Sequence, residues 1–287
     1  VKLAANPDAA CHVPVRARPT RYRGHRRTRK PEPATQMIDF GLPDYPRSTA
    51  RLAPSRPVVL CLSGHDPSGG AGLQADIEAL LAQGCHAAPA VTALTVQDTV
   101  DVSGFRVLDR DWVLAQAHAV IADMPVAAVK LGMLGSVEMV DTVLMIMDKL
   151  PGVPLVCDPV LRAGGGGALG KEDVGFAMRE RLFAASTIAT PNLPEARILA
   201  ELPDGSADQC AEKLLPYIEY LLITGGHGDE SDVHNRLYLR DGSRHDFTCA
   251  RLPGSYHGSG CTLASTLAGR LALGQDLIGA VRTALDY

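Results

Sequence analysis

The sequence predicts an α/β fold with three layers, in which a doubly wound, mainly parallel central sheet has helices on both faces and an antiparallel hairpin at one edge. From residue 57 onward, short apolar runs alternate with amphipathic stretches. This alternation is typical of βαβ units and therefore of a parallel sheet. Two closely spaced runs around residue 241 indicate the hairpin.

The apolar runs have the length of strands, and the stretches between them have helical spacing. The first run leads into a glycine-rich turn and an amphipathic stretch, which is the order strand, loop, helix. Strands are predicted at residues 58–62, 88–94, 127–131, 155–157, 187–189 and 220–223. Helices are predicted at residues 73–81, 112–122, 137–150, 174–183, 207–217, 261–273 and 277–285.

The hairpin follows from a run at residues 236–239 and a second run ending at Leu252, with a turn at Asp241-Gly242 between them. The pattern is still helical at Tyr287, where neither Gly nor Pro closes it. We therefore predict one domain over residues 57–287, and a truncated C-terminus is left open.

Residues 1–56 are rich in Arg and Pro and show neither helical nor strand periodicity. We predict that this extension is disordered, because its composition cannot form a core. A poorly defined start of the chain is favoured over an RNA-binding or targeting arm.

The charge of the chain is unevenly distributed around a net value of −4. Residues 1–36 contain nine Lys or Arg and two acidic residues, which leaves 19 basic and 30 acidic residues over the rest. An acidic folded part argues against a nucleic acid partner, because phosphate-binding surfaces are basic.

Seven cysteines are scattered without a CxxC pair, which indicates a reducing compartment rather than a disulfide scaffold. No run reaches the ~18 apolar residues of a membrane helix, and the first thirty residues lack a signal-peptide core. We therefore expect a cytoplasmic protein with no membrane partner.

The turn Gly258-Ser259-Gly260-Cys261 leads directly into an apolar helix. Glycines allow successive backbone N–H groups to point at one anion, and the helix adds the positive end of its dipole. We predict an anion hole for a phosphoryl group, with Cys261 as a base whose pKa the helix N-terminus lowers. The alternative is a glycine-rich turn before a core helix with a buried, inert cysteine.

A second glycine-rich segment, residues 64–76, follows the first strand at the edge where doubly wound sheets bind ligands. It has neither the Walker A spacing nor the dinucleotide fingerprint. Asp76, on the helix that follows, is interpreted either as a surface charge or as a hydrogen-bond partner of a polar ring substituent.

Five segments resemble, in the same order, the hydroxymethylpyrimidine and phosphomethylpyrimidine kinases of thiamine biosynthesis, which are members of the ribokinase-like superfamily. They are the loop SGGAGLQAD, KLGML at residues 130–134, DPV at 158–160, TPNLPE at 190–195, and the turn HGSGCT. The resemblance extends from about residue 57 to the end of the chain and implies a ribokinase-like fold.

The resemblance also implies roles for single residues. Gly64, Asp76 and Gln97 match contacts to the pyrimidine, and Met133 matches a residue packed beside the ring. Near the phosphates, the implied metal residues are Asp158 and Glu195, the implied nucleotide-binding residues are Asn192, Thr224, Gly225 and Gly226, and the implied anion hole and base are Gly258, Ser259, Gly260 and Cys261.

Two positions depart from the family pattern. Thr224 stands where many relatives have Lys, which puts one nucleotide contact in doubt. The segment at residues 162–167 has four consecutive glycines in place of the Lys and Ser often found there. We interpret it as a flap that closes over phosphates, with a simple flexible loop as the alternative.

The implied reaction is ATP-dependent phosphorylation of 4-amino-5-hydroxymethyl-2-methylpyrimidine and then of its monophosphate, with Mg²⁺ as cofactor and a homodimer as the expected assembly. A pyridoxal kinase of the same superfamily remains an alternative, since pyridoxal is also a flat heteroaromatic with a hydroxymethyl group. Gln97 and the SGGAGLQAD loop favour the pyrimidine. A second alternative is a non-catalytic ligand sensor with this fold, against which the intact Cys261 and Glu195 argue.

Overall fold

Nine strands form one sheet in the structure, a computed structural model that describes residues 56–161, 172–226, 232–254 and 256–287. The strands are β1 (Val58–His65), β2 (His86–Gln97), β3 (Val102–Val107), β4 (Val126–Leu131), β5 (Leu155–Cys157), β6 (Ile188–Ala189), β7 (Tyr220–Ile223), β8 (Asp232–Leu239) and β9 (Arg244–Ala250). Their order across the sheet is β3-β2-β1-β4-β5-β6-β7-β8-β9. The strands from β2 to β7 in this order are parallel, whereas β3, β8 and β9 pair antiparallel with their neighbours.

Eight α-helices connect and cover the strands within the described ranges. They are α1 (Gly72–Ala82), α2 (Arg110–Asp123), α3 (Val137–Met147), α4 (Glu172–Ala177), α5 (Leu193–Ala200), α6 (Ala207–Leu214), α7 (Ser259–Ala272) and α8 (Leu277–Asp286). α4 continues through a π-helical turn at Met178–Leu182 and a 3-10 turn at Phe183–Ala185. None of the helices in these ranges combines the length and apolar character that crossing a membrane requires.

The two faces of the sheet carry separate apolar cores, and β1 contributes to both. Val59 and Cys61 pack with residues of α1, α7 and α8, whereas Leu60 and Leu62 pack with residues of α2 to α6. This alternation follows from the period of two along a strand. A parallel strand buried on both faces must be apolar throughout, which explains why β1 reads as a continuous apolar run.

The predicted fold class is confirmed, including the hairpin, which β8 and β9 form around a turn at Gly242 with φ of 89°. Two elements were not predicted. β3 is short and contains Gly104, so its apolar signal is weak, and it pairs with a β2 that extends to Gln97. α5 begins at a capping box and has Pro194 in its first turn, which the sequence analysis interpreted only as a ligand motif.

The N-terminal segment 1–55, predicted to be disordered, and the glycine-rich segment 162–167, interpreted as a flap, lie outside the described residues. Both interpretations stay predictions.

The glycine at position 72 has a structural role that can be tested, since it has φ of 55° and an added Cβ would overlap the Gly64 carbonyl oxygen. We expect Gly72→Ala to lower the free energy of unfolding by about 2–5 kcal/mol, from backbone strain and overpacking together. Urea denaturation measures the effect. Gly84→Ala is the matched control, because Gly84 has φ of 78° but an added Cβ meets no described atom within 4 Å. Equal losses in the two variants would contradict the close approach of α1 to β1.

Candidate functional site

The carboxyl ends of the parallel strands bring most of the predicted site residues to one edge of the sheet. Gly64 lies near the end of β1. The Asp158 N–H donates to the Leu131 carbonyl at 2.9 Å, which continues the ladder beyond β4 and β5. Asn192 and Thr224 form a parallel bridge beyond β6 and β7. These residues lie at the edge of the sheet where we expect ligands to bind.

The two glycine-rich segments found in the sequence are in direct contact. Gly258 has φ of 82°, and a Cβ at this position would overlap the carbonyl oxygen of Gly70. A Cβ at Gly70 would lie 3.1 Å from the His257 ring. The approach requires a glycine at position 258, and a side chain at position 70 would crowd the His257 ring. The N-terminus of α7 is thereby held beside the loop that follows β1.

Asp66 organises the first of these segments. Its Oδ1 accepts hydrogen bonds from the backbone and the hydroxyl of Ser68 at 2.8 and 2.7 Å. Its Oδ2 accepts from the Ala71 N–H at 2.8 Å. This aspartate is buried and satisfies the donors of a turn that has few other partners.

The start of α7 has the geometry expected of an anion hole. Gly258 is the N-cap, and no side chain caps the helix. No described group accepts the backbone N–H groups of Ser259, Gly260 and Cys261, as is usual for a first helical turn without a cap. The predicted set of N–H donors is therefore available for an anionic ligand.

Cys261 does not have the lowered pKa that the sequence analysis expected. The pKa of its thiol is raised to about 12, mainly by burial; Lys130 opposes the shift, whereas the nearby Asp158 and Asp76 carboxylates add to it. Cys261 keeps a partial opening to solvent, but its sulfur lies close to these groups. Burial outweighs the favourable charge of Lys130, so the thiol is neutral near pH 7.

Asp76 is a buried member of an ion pair and not a surface charge. Its side chain is 0% exposed, and its Oδ1 lies 2.7 Å from Lys130 Nζ, which is also 0% exposed. Ser265 on α7 donates to the same oxygen at 2.7 Å. Asp76 Oδ2 is buried and has no hydrogen-bond partner among the described residues, and the expected contact with a pyrimidine ring stays a prediction.

Gly64 and Met133 are in contact beside β2, and Gln97 lies farther along the same strand. A Cβ at Gly64 would lie 3.3 Å from Met133 Sδ, and Met133 packs with Ala93. Gln97 lies on the same face of β2 as Ala93, because the two are four residues apart in a strand. The Gln97 Oε1 accepts from Thr95 Oγ1 at 2.8 Å.

His257 links Gln97 to the anion hole. Its Nε2 lies 2.9 Å from the Gln97 amide nitrogen and 3.3 Å from Asp66 Oδ2. His257 also precedes Gly258 in the chain. The amide predicted to recognise the ring is therefore already held by a residue of the catalytic turn.

Asn192 and Glu195, the residues of the NxxE motif, form a capping box at the start of α5. Asn192 Oδ1 accepts from the Glu195 N–H at 2.9 Å, and Glu195 Oε2 accepts from the Asn192 N–H at 3.1 Å. Glu195 Oε1 accepts from the Leu161 N–H at 3.4 Å. Both carboxylate oxygens of Glu195 therefore have backbone donors, which is a structural role that the sequence analysis did not consider.

Asp158 and Glu195 are buried acids that interact unfavourably. Burial raises the pKa of Asp158 to about 6, with Lys130 opposing the shift. Burial and the Asp158 charge raise the pKa of Glu195 to about 8. Asp158 Oδ2 is buried and has no hydrogen-bond partner among the described residues. A cation between these acids and a phosphate would relieve both features.

The end of β7 has little room for side chains. A Cβ at Gly225 would lie 2.5 Å from the His234 carbonyl oxygen, and the Gly225 N–H donates to Asn235 Oδ1 at 3.0 Å. Gly226 follows with φ of 103°. Together with Thr224, these glycines present backbone at the edge predicted for the nucleotide.

A model of the phosphomethylpyrimidine kinase family matches residues 66–287. The chain belongs to the phosphomethylpyrimidine kinase family. A hydroxymethylpyrimidine/phosphomethylpyrimidine kinase of Mycobacterium tuberculosis is 40% identical over 231 residues, which make up 78% of this chain and 84% of the relative.

Solved structures agree with this membership. A phosphomethylpyrimidine kinase from Clostridium difficile has 30% identity and a TM-score of 0.68, covering 80% of this chain and 96% of that chain. A Staphylococcus aureus pyridoxal kinase in complex with ADP has 28% identity and a TM-score of 0.73, covering 80% and 86%. The family and the ribokinase-like kinase fold implied by the five motifs are therefore confirmed, whereas the homodimer stays a prediction.

Four residues of this kinase that shape the site were not assigned by the sequence analysis: Lys130, Ser265, His257 and Asp66. Lys130 had a detectable signal, because it is a lone charge inside the apolar run of β4 and a buried lysine needs a partner. The other three have no such signal, since Ser, His and Asp are common in turns and on helices.

Two glycine substitutions at the start of α7 should distinguish an effect on stability from an effect on catalysis. Gly258→Ala introduces strain and a backbone overlap, so we expect a loss of about 2 kcal/mol or more in the free energy of unfolding, measured in urea. Gly260→Ala meets no described atom within 4 Å and should leave stability unchanged or raise it by up to ~1 kcal/mol.

The Gly260→Ala variant should fold but have a kcat about 10²-fold lower than that of the parent. Its methyl group would crowd a phosphoryl group that is held by the first turn of α7. ADP release measures this. Full activity in Gly260→Ala would show that the first turn of α7 does not hold the transferred group.

Proposed function

We propose that this kinase transfers the γ-phosphoryl group of ATP to the hydroxymethyl oxygen of 4-amino-5-hydroxymethyl-2-methylpyrimidine, and then to the phosphate of the resulting monophosphate, in thiamine biosynthesis. The observation that carries the proposal is the contact between Gly70 and Gly258, which joins a ring pocket beside Gln97 to an uncapped helix N-terminus. Membership of the family supports the same reaction.

The pocket beside Gln97 suits an aminopyrimidine. An amide offers one acceptor and two donor hydrogens, which match the amino group and ring nitrogen of the substrate. Thr95 holds the Gln97 oxygen, so the amide is oriented before the ring binds. Met133 packs directly over Gly64, and its thioether would offer a polarisable apolar contact to a flat ring.

The N-terminus of α7 would stabilise the group that is transferred. A bond forms between the substrate oxygen and the γ-phosphorus, while the bond from that phosphorus to the β,γ-bridging oxygen breaks and ADP leaves. The N–H groups of Ser259, Gly260 and Cys261 would donate hydrogen bonds to the equatorial oxygens of the transferred phosphoryl group. Asn192, Thr224, Gly225 and Gly226 would lie along the nucleotide, with Gly225 and Gly226 contributing backbone only.

The donor set at Asp158 and Glu195 fits a magnesium ion. Asp158 supplies a buried, unpartnered oxygen, whereas Glu195 already accepts two N–H groups and would act through water. No group of three or more His, Cys, Asp or Glu residues within the described ranges could enclose a metal. This fits Mg²⁺, which keeps several waters and phosphate oxygens. When bound, it would neutralise charge on the ATP phosphates.

Cys261 would orient the attacking hydroxyl. Since its thiol is neutral near pH 7, it can hydrogen-bond the hydroxyl but is a poor acceptor of its proton. Phosphoryl transfer through a loose transition state places little charge on the attacking oxygen early in the reaction. The hydroxyl proton can therefore leave late, to an oxygen of the transferred phosphoryl group or to water, and positioning is the main requirement.

Substrate choice is the direct test, because pyridoxal kinases share this fold. With ATP and Mg²⁺, ADP release should give a kcat/KM for the pyrimidine about 10²-fold or more above that for pyridoxal, and the monophosphate should also be used. Gln97→Leu should lower kcat/KM for the pyrimidine by about 10- to 10²-fold, the effect of an unpaired buried polar group.

Gln275→Leu, in the turn between α7 and α8, removes an amide that donates to Thr283; it is the control, and its kcat/KM should match that of the parent. A preference for pyridoxal would favour the alternative function, a pyridoxal kinase. If no alcohol supports ADP release, the non-catalytic ligand sensor would be the remaining alternative.

Two substitutions of Cys261 should distinguish an orienting thiol from a base. Cys261→Ser keeps a donor and an acceptor, so its kcat should stay within about tenfold of the parent. Cys261→Ala removes both and should lower kcat by about 10²-fold, with the melting temperature of each variant as the check on folding. A Ser variant as inactive as the Ala variant would instead indicate that thiol acid–base chemistry is required.

A further inference from the structure

Lys130 has no place in the reaction as described so far, and yet it is the most deeply buried charge at the site. Its ammonium group lies 2.7 Å from Asp76 Oδ1 and 3.2 Å from Ser63 Oγ, and its side chain has no exposed surface. A buried ion pair is seldom more stabilising than an apolar pair of the same volume. Stability alone is therefore a weak explanation for a lysine inside β4.

The ion pair is connected to the helix that carries the anion hole. Ser265 donates to the same Asp76 oxygen at 2.7 Å. Ser265 lies one helical turn after Cys261, so the two side chains project from the same side of α7. Through Asp76, the lysine on β4 therefore fixes the distance and rotation of the first turns of α7 relative to the sheet.

The surroundings leave no space for the ammonium group to move. A Cβ at Gly132 would lie 2.5 Å from Ser63 Oγ and 3.0 Å from Lys130 Nζ, so only a glycine fits above the lysine. The acidic groups that act on Lys130 are Asp76 and Asp158, together with the neutral thiol of Cys261. One fixed positive charge thus faces the two aspartates beside the proposed phosphoryl site.

We propose that Lys130 is a positioning residue for phosphoryl transfer, which holds the anion hole of α7 in place through Asp76 and Ser265 and offsets the negative charge of Asp76 and Asp158 beneath the transferred group. The proposal rests on the proposed kinase function. It assigns to Asp76 a role through Lys130 and Ser265 in addition to the ring contact that the sequence analysis expected.

The test distinguishes two explanations for the buried pair. Either the reaction needs the positive charge of Lys130, or Lys130 and Asp76 only neutralise each other within the fold. Lys130→Met keeps the length of the side chain but leaves Asp76 buried and unpaired, so we expect a lower melting temperature together with a lower kcat. The double variant Lys130→Met/Asp76→Asn removes both charges, and the Asn oxygen can still accept from Ser265. Its melting temperature should rise above that of the single variant.

If Lys130 acts in the reaction, the double variant should remain about 10²-fold below the parent in kcat, with KM for ATP and for the pyrimidine within about threefold. A double variant with parental kcat would overturn the proposal, because the pair would then serve the fold alone. Lys149→Met removes an exposed lysine and is the matched control. An inactive parent would count against the proposed function itself.

A second variant, Ser265→Ala, tests the proposal even if the lysine variants fail to fold. Ser265→Ala keeps both charges and removes only the link to α7. We expect its melting temperature to stay within about 4 °C of the parent, while kcat falls by about tenfold at unchanged KM. Parental kcat in Ser265→Ala would contradict the coupling of the ion pair to the anion hole.

Discussion

The close backbone contact between Gly70 and Gly258 is the constraint on which the site depends. It joins the loop after β1 to the start of α7, two segments that are far apart in the sequence. The contact requires glycine at position 258, because any Cβ there would overlap the facing carbonyl group of Gly70. The ring pocket, the anion hole and the His257–Gln97 contact all follow from this approach.

Electrostatics impose the second requirement on this edge of the sheet. Asp76, Asp158 and Glu195 are all buried, and within the described ranges only Asp76 has an ion-pair partner. The raised pKa values of Asp158 and Glu195 have burial as their main cause. A site for phosphoryl groups needs positive charge, and here one such charge, Lys130, is part of the fold itself.

The NxxE motif shows how one set of bonds can serve both fold and site. Asn192 and Glu195 cap α5, and the same Asn192 bridges to Thr224 at the end of β7. The capping box thus sets the position of two strand ends as well as the helix. Glu195 reaches the site as a carboxylate whose oxygens are already occupied, which favours contact with a metal through water.

The sequence by itself determined the fold class and the two glycine-rich turns, because apolar alternation and turn chemistry are local properties that short segments reveal. It also indicated the kinase family, through the resemblance of five motifs in the same order. It did not reveal β3 or α5, whose short lengths and unusual residues carry weak local signals. Only the tertiary structure decided that Asp76 pairs with Lys130, that burial raises the pKa of Cys261, and that His257 contacts Gln97. Burial and the partners of a charge depend on segments distant in the chain, so the packed molecule sets them and local pattern does not.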